Sequence, residues 1–226
     1  MTKVHFVGDV HGFAGSLSIL DKPNTIQLGD LNLYGYDNWI MEIGKVSGVV
    51  SCKHQFQNKV MFVEGNHEQF PKLNCNADEP YEVVPNLYHI PRGYVSGRTL
   101  FLGGGDSIDR DSRKDGISWF KEEKINSVQV DRIFAIRNRI DVVVSHDCPH
   151  FALDGIPLPH GRVKMMLPTG LILEDVFRHV KPLLWVFAHY HTSIDLVSNG
   201  CRFIGLNTDE EKEIDIPLDD NFFSKE

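Results

Sequence analysis

Paired cysteines are missing from this chain. It has four, Cys52, Cys75, Cys148 and Cys201, and no C-x-x-C among them. That pattern argues against a thiolate zinc knot and gives no sign of a disulfide framework. Reduced thiols in a cytoplasmic protein are the expectation. Long apolar runs are missing too. The first spans only Val4 to Val7, and none approaches the ~20 residues of a membrane-spanning helix. Neither a membrane partner nor a secretory leader is expected. Positive charge is scarce: 23 Lys and Arg stand against 31 Asp and Glu, a net charge of −8. Broad attraction to a nucleic-acid backbone is not expected, although a nuclease working through a small local patch stays open. Internal repeats and low-complexity tracts are also absent, and the sequence leaves the oligomeric state open.

What is present is ordinary globular composition, 42% hydrophobic and 24% charged over 226 residues. The pattern suits one domain over residues 1–208, with an insert around 106–124 and a frayed acidic tail over 209–226. Val4-His5-Phe6-Val7, Thr25-Ile26-Gln27-Leu28 and Val60-Met61-Phe62-Val63 read as strands, with helices over 13–20 and 37–50 between them. Residues 74–85 read as polar turns and 94–102 as a hairpin about Gly97. Helices are expected over 128–138 and 171–180, strands over 87–90, 142–144 and 184–188, a loop over 151–168, and a last hairpin across Asn199-Gly200. Alternating strands and helices imply a buried, mostly parallel sheet, whose chemistry gathers at the carboxyl ends of its strands.

Those ends carry the signal. The first three strands run into Gly8-Asp9-Val10-His11-Gly12, Gly29-Asp30 and Gly65-Asn66-His67-Glu68. Two later ones run into Ser145-His146-Asp147 and His189-Tyr190-His191. Asp9, His11, Asp30, Asn66, His146, His189 and His191 offer four imidazoles, two carboxylates and an amide oxygen. Mixed N and O donors without thiolate suit manganese, iron, zinc or a similar ion. Seven donors exceed one ion's needs and suit two divalent ions sharing a carboxylate, with Asp30 as the natural bridge. Such ions ~3.5–4 Å apart can clamp a phosphate and bring a bound water's pKa near neutrality. His67 adjoins a ligand and is not needed to complete either shell, which leaves it for proton transfer.

The ordered set D-x-H, G-D, G-N-H-[DE], a lone strand-end His and H-x-H resembles the calcineurin-like metallophosphoesterases, and in particular small phosphoesterases of bacteria and phages. The resemblance runs from residue 9 to residue 191. It implies an α/β fold, a four-layer αββα sandwich of two mixed β-sheets flanked by helices. It assigns Asp9, His11, Asp30 and His191 to one metal, and Asp30, Asn66, His146 and His189 to the other. Manganese is the expected ion in vitro, with iron, zinc or nickel as alternatives. A bridging hydroxide would attack phosphorus, and His67 would assist the leaving oxygen.

Two positions depart from the protein-phosphatase branch of that family. Leu33 stands where an Asp would orient the histidine, and Tyr34 where an Arg would grip phosphate. Small-molecule or nucleotide phosphomono- and diesters are therefore the expected substrates, with serine/threonine phosphoproteins the alternative. A catalytically silent scaffold on this fold is the reading from another class; the full ligand set and His67 count against it. Ala188 for the usual Gly before His189 leaves ligation intact. Phosphate recognition then needs another cation. Arg113, then Arg110, are the candidates in the run Gly105 to Glu123, with Asn66 also facing substrate. Trp119-Phe120 reads as insert core. His5, His54, His89, His150, His160 and His179 read as packing or surface residues.

Overall fold

The structure, a computed structural model, describes residues 1–12, 14–33, 41–43, 50–52, 55–154, 156, 158 and 167–224. The chain opens with β1 (Thr2–Val7), α1 (Leu17–Leu20) and β2 (Thr25–Gln27). After β3 (Met41–Ile43) and β4 (Val50–Cys52) come β5 (Val60–Phe62), β6 (Tyr81–Val84) and β7 (Leu87–His89). The hairpin β8 (Val95–Ser96) and β9 (Thr99–Leu102) follows, turning at Gly97. Next are α2 (Ser127–Phe134), β10 (Val142–Ser145), α3 (Pro168–Val180), β11 (Leu184–Phe187) and the hairpin β12 (Ile194–Ser198) and β13 (Cys201–Gly205). The last strand is β14 (Glu211–Ile216).

Two six-stranded sheets result, ordered β14-β1-β2-β5-β7-β6 and β12-β13-β11-β10-β9-β8. Each has four parallel strands in the middle and one antiparallel strand on either edge. The two mixed sheets expected from the motifs are therefore present. Successive side chains of a strand face opposite ways, and both faces are covered here. Val142 and Val144 enter the core between the sheets with Val4, Phe6 and Ile26, while Val143 faces the other way with Trp185 and Phe203. That is why these strands read as unbroken apolar runs. Each fully buried side chain of this size contributes about 1.5–3 kcal/mol.

Helices α2 and α3 cover the outer face of the second sheet through Ile133, Leu173 and Val176. Asn126 and Gln129 cap α2 reciprocally, each side chain bonding the other's backbone N–H at 3.0 Å. Pro168 starts α3, where its missing N–H is harmless. Over the first sheet the described residues supply only α1 and short turns, packed through Leu17 and Leu20.

Three sequence expectations change. Within the helix expected over 37–50, the described residues 41–43 and 50–52 pair instead as an antiparallel ribbon; the rest lie outside the described residues. The intervening sequence holds Gly44, Gly48 and β-branched Val46 and Val49, all poor helix formers. Residues 81–84, expected as turns, form strand β6. The acidic tail is not frayed. β14 pairs along the whole of β1, from Thr2↔Ile216 to Val7↔Glu211. Glu211, Glu213 and Asp215 face solvent while Ile214 and Ile216 pack inward. Leu218 and Phe222 then enter the intersheet core, where Phe222 stacks on Phe101 with centroids 5.5 Å apart.

Candidate metal centre

The seven expected ligands all lie just beyond the carboxyl ends of parallel strands. β1 leads to Asp9 and His11, β2 to Asp30 and β5 to Asn66; β10 leads to His146, and β11 to His189 and His191. Three groups have their donor atoms within 4.8 Å of one another: Asp9, His11 and His191; His11, Asp30 and His67; Asp30, His146 and His189. The first and third groups each bring together three of the four residues that the resemblance assigns to one metal. Asp30 lies between them, with Oδ2 3.9 Å from His11 Nε2 and Oδ1 3.5 Å from His146 Nε2. Asn66 Oδ1 joins the second half, 3.1 Å from His146 Nε2.

The backbone bends unusually to achieve this. His11, Asp30, His189 and His191 all adopt positive φ, from 46° to 69°. Such conformations cost about 1–3 kcal/mol each in non-glycine residues and gather at functional sites. Two glycines allow close approach. A Cβ on Gly29 would lie 2.4 Å from His146 Nδ1, and one on Gly65 would lie 2.2 Å from the Asp30 backbone nitrogen. Hydrogen bonds then tie one sheet to the other: His146 Nδ1–H donates to Leu28 O at 2.7 Å, and the His189 N–H donates to Asp9 Oδ1 at 3.2 Å.

These residues fit a divalent cation on their own chemistry. With its Nδ1–H donated to a carbonyl, His146 in the neutral form that ligates a metal turns a bare lone pair at Nε2 toward its neighbours. Those are Asn66 Oδ1, Asp30 Oδ1 and, at 3.1 Å, His189 Nδ1. His11 and His191 likewise face each other, Nε2 to Nε2, at 3.0 Å. Among the described residues, buried Asp9 Oδ2 has no hydrogen-bond donor, although His191 Nε2 is 2.9 Å away. Acceptors converging on acceptors need positive charge among them. The titration shifts agree. Burial alone would raise Asp30, yet His146, His67, His11 and His189 together hold it well below the usual carboxylate range. Burial pulls His146 down, but Asp30 and then Asp9 outweigh it and raise its pKa.

His67 borders the cluster, held by its N–H to Asp30 Oδ1 at 2.8 Å. Burial lowers its pKa, Asp30 opposes this, and Arg113 adds to the lowering. Arg113 lies beside the cluster, with Nη2 against the His67 ring, 3.0 Å from Nδ1. Its Nε pairs with Asp109 Oδ1 at 2.9 Å and Nη1 points to Ser118 O at 3.4 Å. A two-pronged phosphate grip would require release of one of these partners. Arg110 instead lies over Trp119, its Cζ 3.8 Å from the ring centroid. A cavity of about 210 Å³ opens over the ligands, walled by His67, Ile108 and Asp109.

Two acids of the same motifs, Glu68 and Asp147, support the ligands from behind. Glu68 is buried and accepts the Leu31 and Asn32 N–H groups at 2.7 and 3.3 Å, bracing the loop after Asp30. Burial and then Asp30 push its carboxyl up to about 7. Asp147 accepts from the Cys148 N–H at 2.7 Å and from the Tyr190 hydroxyl at 2.5 Å, linking the two histidine loops of the second sheet. Leu33 is buried in the outer core of the first sheet, and Tyr34 lies outside the described residues. His5 bonds Ile19 O at 3.1 Å, His179 approaches Ile136 O at 3.2 Å, and His89 and His150 are buried, in keeping with packing roles. His54 and His160 lie outside the described residues.

Two mixed sheets thus meet at a cluster of Asp, Asn and His beyond their parallel strand ends, a candidate metal centre. A family model described as calcineurin-like phosphoesterase matches residues 2–193, and the chain belongs to that family. It is also similar to a lariat debranching enzyme of Schizosaccharomyces pombe, 24% identical over 285 aligned residues. The alignment takes in 99% of this chain and 60% of that relative, so the chain spans less than two thirds of its length.

Proposed function

We propose that this phosphoesterase binds two divalent cations and hydrolyses small-molecule or nucleotide phosphomono- and diesters. The observation that carries the reading is the double focus. One set of donors gathers on Asp9, His11 and His191, a second on Asp30, His146 and His189, and the Asp30 carboxylate faces both. When bound, the cations supply Lewis acidity and an activated water; manganese is the ion to try first, with iron, zinc and nickel as alternatives.

The protein's own groups supply the rest. Asp9 and Asp30 provide fixed negative charge that holds cations. Asn66 adds an uncharged oxygen to the second focus. His67 stands beside both the cavity and Asp30, where it passes a proton to the departing oxygen. Arg113 holds the His67 ring in place and brings positive charge to the cavity wall, while Asp109 neutralises part of that charge. Leu33 contributes no carboxylate to orient His67, which weighs against phosphoproteins. The complete ligand cluster weighs against a silent scaffold.

The likeness to a lariat debranching enzyme favours one second reading, a phosphodiester within a nucleic acid. The two are separated by assay. Metal-free protein reloaded with Mn²⁺ is expected to turn over p-nitrophenyl phosphate or its bis-ester; activity on neither overturns the first reading. Faster cleavage of a branched oligonucleotide than of mononucleotide esters would establish the second.

A further inference from the structure

Asn66 can ligate a metal only if its amide presents oxygen rather than nitrogen to the cluster, and the start and end of the insert decide which. Asn66 Nδ2–H donates to Ser107 Oγ at 3.1 Å. Ser107 Oγ–H donates to Glu123 Oε2 at 2.6 Å, and the Ser107 backbone N–H donates to Glu123 Oε1 at 3.0 Å. All three residues are buried. Glu123 is itself set by its backbone: its carbonyl accepts from the Gly105 N–H at 3.1 Å and from Arg92 Nη2 at 3.2 Å, while Arg92 also holds the carbonyls of Glu122 and Lys124. The insert thus closes on itself directly behind the ligands. A Cβ on Gly105 would be 3.2 Å from His146 Cδ2 and 3.6 Å from Asn66 Oδ1.

We infer that Ser107 and Glu123 are positioning residues that lock the Asn66 amide with Oδ1 toward the second cation. The polarity follows from the chemistry. An ionised carboxylate only accepts, so the single Ser107 hydroxyl proton goes to Glu123. The Ser107 oxygen is left as an acceptor, and only the NH₂ end of Asn66 can satisfy it. A flipped amide would set oxygen against oxygen at Ser107, and it would offer N–H to the His146 lone pair in place of a ligand. The carboxylate at one end of the relay therefore sets the donor at the other. The inference rests on the two-ion reading and goes beyond it by naming what orients a ligand.

The test is Mn²⁺ titration of the metal-free whole chain, read as stoichiometry and affinity rather than turnover. Glu123→Gln keeps the shape but offers an NH₂ to Ser107, which turns the hydroxyl proton toward Asn66 and favours the flipped amide. Ser107→Ala removes the relay. Each is expected to leave one ion bound as in wild type and to weaken the other about 10- to 100-fold, the usual effect of losing a ligand's supporting hydrogen bond. Asn66→Ala should weaken the same ion, and Ser107→Ala added to it should cost nothing more, since both act through one amide. Wild-type affinity for both ions in Ser107→Ala and Glu123→Gln overturns the relay, as does full additivity with Asn66→Ala. A wild type that binds one ion or none overturns the two-ion reading and this inference with it.

Discussion

Two buried clusters of charged and polar side chains lie a few residues apart in sequence, and they are built on opposite plans. Around Glu64, the carboxylate and the guanidinium are fully paired, and among the described residues His89 Nδ1 alone is left without a partner. Arg92 Nε and His89 Nε2 donate to the two Glu64 oxygens, the latter at 2.7 Å. The four remaining guanidinium protons find Lys124 O, Gln129 Oε1, Glu122 O and Glu123 O. Burial would raise Glu64, but Arg92 and then His89 bring it down to about 2. Around Asp30, acceptors face acceptors, Asp9 Oδ2 has no hydrogen-bond donor among the described residues, and four of the expected ligands sit at positive φ. Glu64, Cys75 and His89 also bring donor atoms within metal-binding distance of one another, yet Arg92 already supplies the positive charge there. The difference identifies which cluster awaits a cation: burial and charge are common to both, and only one lacks its counter-charge.

The strongest way to break that comparison is Asp30→Ala. Both ions should leave, and turnover should fall by about 10³-fold or more, because several kcal/mol of transition-state stabilisation depend on them. Metal analysis checks this, and a count that stays at two refutes the bridging role. Chelation of the wild type should have the same effect on turnover and be reversed by Mn²⁺. His67→Ala should keep both ions and slow turnover about 10²- to 10⁴-fold. A proportionate loss of metal in that variant would instead make His67 a ligand.

Arg92→Met attacks the satisfied cluster. Removing one partner of a buried pair leaves Glu64 ionised without its main counter-charge, at a cost of about 3–5 kcal/mol. Thermal unfolding should show it as a drop of about 2–4 °C per kcal/mol in a chain this size. Metal-free Asp30→Ala should lose much less stability than Arg92→Met. Equal losses would mean that the Asp30 cluster, like the Glu64 cluster, is complete without metal.

The sequence showed the Asp30 cluster far more plainly than the Glu64 cluster, for a physical reason. Ligands must converge from the ends of several buried strands, so each follows an apolar run and a tight turn, and that combination is visible one strand at a time. Glu64, His89 and Arg92 meet only through tertiary packing and carry no local signature. Ser107 and Glu123 fall between these cases: they belong to the Gly105–Glu123 run that stood out in the sequence, but the amide they orient lies 41 residues before Ser107. β14 was hidden by its own surface, since the outward acids of Glu211-Lys212-Glu213-Ile214-Asp215-Ile216 look like a solvated tail until pairing with β1 turns Ile214 and Ile216 into the core.

The smallest expected effect belongs to a charge cluster that is satisfied and exposed. On the β12–β13 hairpin, Asp195 accepts from Arg202 Nε and Nη2, both at 2.8 Å, and pairs with Lys212 of β14 at 3.0 Å. The Arg202 hydrogen bonds lead, Lys212 adds to them, and together they hold the Asp195 carboxyl well below its ordinary value of 3.8. A depressed folded-state pKa stabilises the fold above the unfolded value and loses that contribution as pH falls through the folded one. Asp195→Asn should therefore lower the melting temperature slightly at pH 7, and the gap from wild type should close as pH drops below about 4. Water and salt screen such a pair, so 1 M NaCl should narrow the gap at pH 7 as well. A gap that survives both acid and salt would mean that Asp195 acts through packing rather than charge. The contrast with Arg92 would then rest on burial alone.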